Sequence, residues 1–473
     1  MDDRLFLSLC AMAQAVRERR CSSRELVQAH IARIEQLNSK LNAFVHTDFE
    51  RACREAVAAD MAVRARTKSS TLGPLHGVPI SMKSSIDVGG LPCECGSRLR
   101  QEYIPSGDAP LVARLRAAGA IILGNTNVPE CLMAWETDNL LYGRTNNPWD
   151  LERTPGGSSG GEAAAIASGC SAGGIGSDGG GSIRVPAHYS GICGLKPTPG
   201  RVPPTGHFPR SAGPFALLGV VGPMARTVGD VQSILDVVAG PDPGDPCAAP
   251  VPLHRWSDAE ICSLRIAYFV EHDLAPVTPE TAAAVRAAAG ALRDQGFEVV
   301  EWQPENLDRA WKLWWNLFGR AGQMSFSPML EGHAAELSPI LREFRNWAME
   351  DGAPSGPELL DTLLERDVLR GRLLEKMDQF PILLCPVCSI PAFRHGEREW
   401  SVQGRKVTYL KAMAYSQWFN LLGAPAAVVP VARSSEGLPI GVQIVGRPWE
   451  DEAVLALAAK IEDACGGFRP PPL

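Results

Sequence analysis

The sequence predicts an α/β fold, and three observations carry that expectation. Strand-like and helix-like stretches alternate from Leu75 onward. Hydrophobic residues make up 45% of the chain and charged residues 21%, the profile of a globular protein with a sizeable core. Strand signals return in the last hundred residues, so 379–473 is expected to complete the first core rather than build a second.

The elements follow in chain order. Residues 1–66 read as an N-terminal helical layer: Leu26, Ile31 and Ile34 recur at helical spacing, and Ser22 with Glu25 forms a capping box ahead of them. The core is expected over 67–240. Val78, Ile80 and Met82 share one face of a strand, a helix follows near 109–118, and residues 120–123 are an apolar strand. Eleven glycines lie between Gly156 and Gly181, interrupted by a helix-forming run at 162–167, so functional loops are expected on both sides of that helix. The turn 240–246, rich in Pro, Gly and Asp, marks a boundary, and 250–378 reads as a mostly helical insertion. Strands near 382–384, 427–429 and 440–445 and a helix over 452–465 close the chain. No internal repeat or low-complexity tail is present.

The net charge of −7 comes from interspersed residues with no basic face to meet a phosphate backbone, so no nucleic-acid partner is expected. Thirteen cysteines, odd in number and scattered, fit a reducing compartment better than a disulfide framework. The start lacks a basic region followed by an apolar run, and no stretch of 18 apolar residues occurs; neither a signal peptide nor a transmembrane segment is expected, and the expected location is cytoplasmic.

Candidate chemistry gathers around the glycines. Ser158 and Ser159, in Gly156-Gly157-Ser158-Ser159-Gly160-Gly161, stand where a helix begins, beside unsatisfied N–H groups and a positive helix end. Gly157, with no side chain, would let a substrate approach, although the stretch alone also reads as a flexible loop. In Asp178-Gly179-Gly180-Gly181-Ser182-Ile183-Arg184, three consecutive glycines can turn N–H groups of Gly179, Gly180 and Gly181 toward one point, as an oxyanion hole requires, with the Ser182 hydroxyl next to it. Asp178 and Arg184 are expected to pair with each other or with backbone as structural support. A serine nucleophile needs a base. Lys83 lies on the strand face opposite Val78, Ile80 and Met82, where burial would lower its pKa.

Together with Gly124-Asn125-Thr126-Asn127-Val128-Pro129-Glu130, Gly191-Ile192-Cys193-Gly194-Leu195-Lys196-Pro197-Thr198 and Gly437-Leu438-Pro439-Ile440-Gly441-Val442-Gln443, these segments resemble the amidase signature family over most of the chain outside roughly 250–375. The resemblance implies a single large domain whose central mixed, twisted sheet is flanked by helices on both faces. It implies Ser182 as nucleophile, Ser158 as bridging serine with a cis peptide bond, Lys83 as base, and hydrolysis of linear amides with no metal or cofactor. It also places Leu132, Met133 and Trp135 on the loop lining the acyl pocket. Ser84, Asn125 and Gly179 depart from residues common in the family, which leaves pocket shape and loop rigidity open.

Other readings stand beside this one. Gly156–Gly160 also fits the G-x-S-x-G elbow of an α/β-hydrolase esterase with Ser158 as nucleophile, though no apolar strand leads into it. Residues 174–179 match G-x-G-x-x-G without a βαβ context, and Cys385 with Cys388 reads as core packing rather than a zinc half-site. The family also contains the catalytic subunit of the tRNA-dependent amidotransferase, whose Ser-Leu-Asp-Gln-Ile-Gly-Pro run is absent near Leu217. Trp311, Trp314, Trp315 and Phe318 form a stripe that suits a hydrophobic or aryl substrate, or equally ordinary core or dimer contacts. The expected partner is a small-molecule amide, and the resemblance leaves a homodimer open. Segments 203–209 and 466–468 resemble the fatty acid amide hydrolase branch; esters and carbamates present the same carbonyl.

Overall fold

The computed structural model describes residues 2–65, 67 and 71–473. Residues 1, 66 and 68–70, at the limits of the expected helical layer and of the expected core, lie outside the described residues. The strands are β1 Phe44–Thr47, β2 Pro79–Lys83, β3 Ile121–Thr126, β4 Gly173–Asp178, β5 Cys193–Lys196, β6 Val220–Ala225, β7 Ile266–Tyr268, β8 Val299–Glu301, β9 Ile382–Pro386, β10 Glu399–Val402, β11 Arg405–Thr408, β12 Ala426–Arg433 and β13 Pro439–Gly446. Eleven of them form one mixed sheet in the order β1-β3-β2-β4-β6-β5-β12-β13-β9-β7-β8, and β10 pairs with β11 as a separate hairpin. Pairing is parallel across β3-β2-β4 and β9-β7-β8 and antiparallel elsewhere.

Helices cover both faces of this sheet, and β13 displays the arrangement. A Cβ on Gly441 would meet Cα of His188 in the helix Arg184–Ser190, whereas one on Gly446 would meet Val454 in the helix Asp451–Cys465. Positions an odd number apart on a strand face opposite ways, so the two helices lie on opposite sides. The same alternation splits β3. Ile122 joins the main core, while Ile121 and Leu123 pack with Val27, Ile34 and Leu37 of the helix Ser23–Leu41 in a second, smaller core. Ser22 and Glu25 form the expected capping box at the start of that helix.

Three features go beyond the sequence expectations. β1 lies inside the N-terminal helical layer and pairs with the edge of β3. β7 and β8 lie inside the mostly helical 250–378 stretch and extend the sheet; each is only three residues long, too short for alternation to disclose. The glycine-rich stretch after the helix Gly160–Ala167 is not a loop at first but the central strand β4. Its glycines are there because it runs against its neighbours: a Cβ on Gly174 would lie 2.0 Å from Glu162 Oε1 and 2.3 Å from the Ser81 carbonyl oxygen.

Candidate active site

Lys83 ends β2 and, opposite the apolar face formed by Ile80 and Met82, is wholly buried. Its Nζ donates to Ser158 Oγ at 2.7 Å, Ser159 Oγ at 2.8 Å and Ser177 Oγ at 2.9 Å. Burial lowers its pKa to about 7, an effect that the nearby Asp178 and Glu162 carboxylates oppose only in part. Glu162 is itself buried beneath the site, accepting from Ser81 Oγ at 2.5 Å and Thr126 Oγ1 at 2.8 Å, and burial pushes its pKa up to about 7.

Two segments meet this lysine, and a third, carrying Ser182, is tied to one of them. Ser177 comes from β4, parallel to β2. Ser158 and Ser159 lead into the helix Gly160–Ala167, and the Gly157–Ser158 peptide bond is cis. Gly157 is enclosed rather than open: a Cβ there would lie 2.4 Å from the Glu136 carbonyl oxygen. Ser182 follows the glycines after β4, and its carbonyl oxygen accepts from the Ser159 N–H at 3.1 Å, which ties the two serine loops together. Both serines are buried, Ser182 at 9% exposed and Ser158 at 1%. Both line one cleft walled by Leu132, Met133, Phe215 and Phe318, an apolar lining suited to an organic group.

Asp178 organises the turn that carries Ser182. Its carboxylate accepts from the Gly181 N–H at 2.7 Å and the Ile183 N–H at 3.1 Å, and pairs with Arg184 through Nε and Nη2, each at 2.9 Å. Burial alone would raise the carboxyl's pKa, but the guanidinium and the Gly181 N–H outweigh it and hold the group well below the usual carboxylate range. Arg184 is held in turn by Gln443 Oε1 at 2.5 Å and by Asn420 Oδ1.

The Gly181 N–H, expected to face an oxyanion, is therefore engaged by Asp178. Among the described residues no acceptor pairs with the N–H groups of Gly179, Gly180 or Ser182. The carbonyls on this turn are held from behind: Trp314 Nε1 donates to the Gly179 oxygen at 2.9 Å, and Trp135 Nε1 to the Gly180 oxygen at 2.8 Å. Trp135, expected on the pocket wall beside Leu132 and Met133, thus stands behind the turn instead. The Phe318 ring accounts for the glycine at 179, since a Cβ there would lie 2.8 Å from Phe318 Cε2.

The sequence profile described as "Amidase" matches residues 25–455. An indoleacetamide hydrolase of Bradyrhizobium diazoefficiens is 35% identical over 96% of this chain and 86% of its own. The chain belongs to the amidase family. An acylamidase of Rhodococcus erythropolis is 34% identical over 97% of this chain and 95% of its own, and the A-type polypeptide of a glutamyl-tRNA(Gln) amidotransferase from a Roseiflexus species is 34% identical over 95% of each. A solved bacterial aryl acylamidase of the amidase signature family superposes with a TM-score of 0.85 at 27% identity, covering 97% of this chain and 96% of that one.

Against this amidase fold the competing motifs lose their context. Ser158 Oγ meets Lys83 rather than a histidine, residues 174–178 of the G-x-G-x-x-G match form β4 itself, and Cys385 and Cys388 are buried in the core. Ser159 and Ser177 had no assigned role in the sequence, although both stand in the quoted motifs beside Ser158 and Asp178. Cys131 at φ 51° and Leu132 at φ 65° put two successive left-handed residues in the cleft wall, a strain that no sequence pattern announces. Among the described residues no helix is long and apolar enough to cross a membrane.

Proposed function

We propose that this amidase-family protein hydrolyses aryl amides through an acyl-enzyme on Ser182, with Ser158 as proton bridge and Lys83 as base. The observation that carries the reading is the buried Lys83 amine, 2.7 Å from Ser158 Oγ, with its pKa brought to about 7. A neutral amine has two N–H bonds and one lone pair. Ser159 Oγ and Ser177 Oγ stand ready to accept the two N–H bonds, leaving the lone pair for the Ser158 O–H. Lys83 then takes the Ser158 proton as Ser158 takes that of Ser182, and Ser182 Oγ attacks the carbonyl carbon. The developing oxyanion is met by the free N–H groups of Gly179, Gly180 and Ser182. The proton returns through Ser158 to the leaving nitrogen, which an amide requires because an amine anion leaves poorly. Water deprotonated by the same relay releases the acid.

Leu132, Met133, Phe215 and Phe318 favour an apolar or aryl group beside the carbonyl, in keeping with relatives named for indoleacetamide and aryl acylamides. The test is hydrolysis of chromogenic aryl amides and esters by the wild type and by Ser182→Ala, Ser158→Ala and Lys83→Ala. A loss on the order of 10³-fold or more in Ser182→Ala, with larger losses on amides than on esters for the other two, is expected. Full activity in Ser182→Ala would overturn the nucleophile. Turnover of glutamine alone, and only with added protein partners, would replace the reading with amidotransfer.

A further inference from the structure

Two indole N–H groups are directed at consecutive carbonyls of the turn that carries Ser182. Trp314 reaches the Gly179 oxygen and Trp135 the Gly180 oxygen, both rings are buried, and they lie 6.2 Å apart between centroids. In a trans peptide the carbonyl of one residue points opposite to the N–H of the next. Fixing the Gly179 oxygen on Trp314 therefore turns the Gly180 N–H the other way, and that N–H has no acceptor among the described residues. Fixing the Gly180 oxygen on Trp135 turns the Gly181 N–H toward Asp178, where it is already held at 2.7 Å. The two indoles thus do unequal work. Trp135 shares its peptide plane with a carboxylate anchor, while the plane that aims the free Gly180 donor has the Trp314 indole as its side-chain anchor.

We propose that Trp314 is the positioning residue of the oxyanion-binding turn, with Trp135 as its weaker partner. This rests on the reading of that turn as the oxyanion site. The Trp314 ring also stacks on Phe318 at 4.8 Å, and Phe318 is part of the cleft wall. An acyl group lodged against Phe318 therefore bears on the same ring that aims the donor. Trp314 and Phe318 stand at the junction of the helix Leu307–Trp315 with a π-helical turn over Asn316–Ala321, so the region that least resembles the family's motifs supplies the anchor. Pre-aimed donors act on the charge that develops in the transition state and not on the bound amide, so the effect belongs in kcat.

The experiment compares the wild type with Trp314→Phe, Trp135→Phe and a site-specific replacement of Trp314 by benzothienylalanine, which keeps the ring shape without the N–H. The readouts are kcat and KM on an aryl amide and the inhibition constant of an aryl trifluoromethyl ketone, which forms a tetrahedral adduct on the serine. Both Trp314 replacements are expected to lower kcat about tenfold or more with little change in KM, to weaken the ketone by a similar factor, and to exceed the effect of Trp135→Phe. An unchanged kcat and ketone affinity in the benzothienylalanine protein, or a rise in KM alone, would overturn the proposal even if Trp314→Phe fails to fold. A wild type that neither hydrolyses the amide nor binds the ketone would refute the underlying function instead.

Discussion

The protonation state of Lys83 links burial to rate. Because the base must be the neutral amine and burial brings its pKa to about 7, kcat/KM should rise about tenfold per pH unit below that value and level off above it. A profile flat from pH 5 to 8 on an aryl amide would count against Lys83 as base. Asp178 acts by charge rather than by titration. Asp178→Asn would leave the buried Arg184 guanidinium without its counter-charge and loosen the Gly181 and Ile183 N–H bonds, at an expected cost of about 3–5 kcal/mol in urea denaturation. At this scale the sequence was legible where a residue's place follows from alternation or from a neighbouring glycine. Lys83 opposite Ile80 and Met82, and Asp178 near Arg184, are of that kind. It was not legible for Trp135, because a ring on a pocket loop and a ring behind it leave the same apolar signature, and only the direction of the indole N–H separates them.

Among the elements, β4 is the one whose composition hides its conformation. Glycine has little strand propensity and no side chain to alternate, so Gly173, Gly174 and Gly176 read as loop, while close neighbours select them: Ser81 of β2 and Glu162 against Gly174, and Met224 of β6 against both Gly173 and Gly176. Gly174→Ala is therefore expected to destabilise by about 1–3 kcal/mol or more, since its Cβ would meet the Ser81 carbonyl and Glu162, neither of them free to withdraw. A thermal melt matching the wild type would show that β4 can shift away from β2, and would weaken the view that the Lys83 site is held rigid from below. The helix Ser23–Leu41 and the strands β9, β12 and β13 were legible for the opposite reason: capping residues and long apolar runs state their conformation locally, without reference to neighbours.

Over the whole molecule, ionisable groups are buried in numbers that set the pH range of stability. Burial lowers the pKa of His30, His188 and His207 to about 4. Between that value and roughly 6.5 the unfolded chain binds protons that the folded chain does not, so stability rises with pH. Glu162, raised to about 7, works the other way over part of this range, as do Asp87, Glu136, Asp138, Glu452 and Glu462, which burial also raises, while His272 and His395, lowered by burial, add to the histidines' side. From about 7 upward Lys83 and Lys196, each lowered to about 7 by burial, continue the rise, because their unfolded counterparts stay protonated to about 10.4. Above about 8.5 unfolded thiols ionise while the seven buried cysteines, raised by burial, do not. Seven thiols outnumber two lysines, so the slope reverses. Urea midpoints under reducing conditions should therefore climb from pH 5 to a maximum near pH 8 and fall by pH 10, each net proton being worth about 1.4 kcal/mol per pH unit. Midpoints still rising at pH 10 would mean that the thiols are not desolvated in the folded chain, and that the sheet's core is wetter than its packing describes.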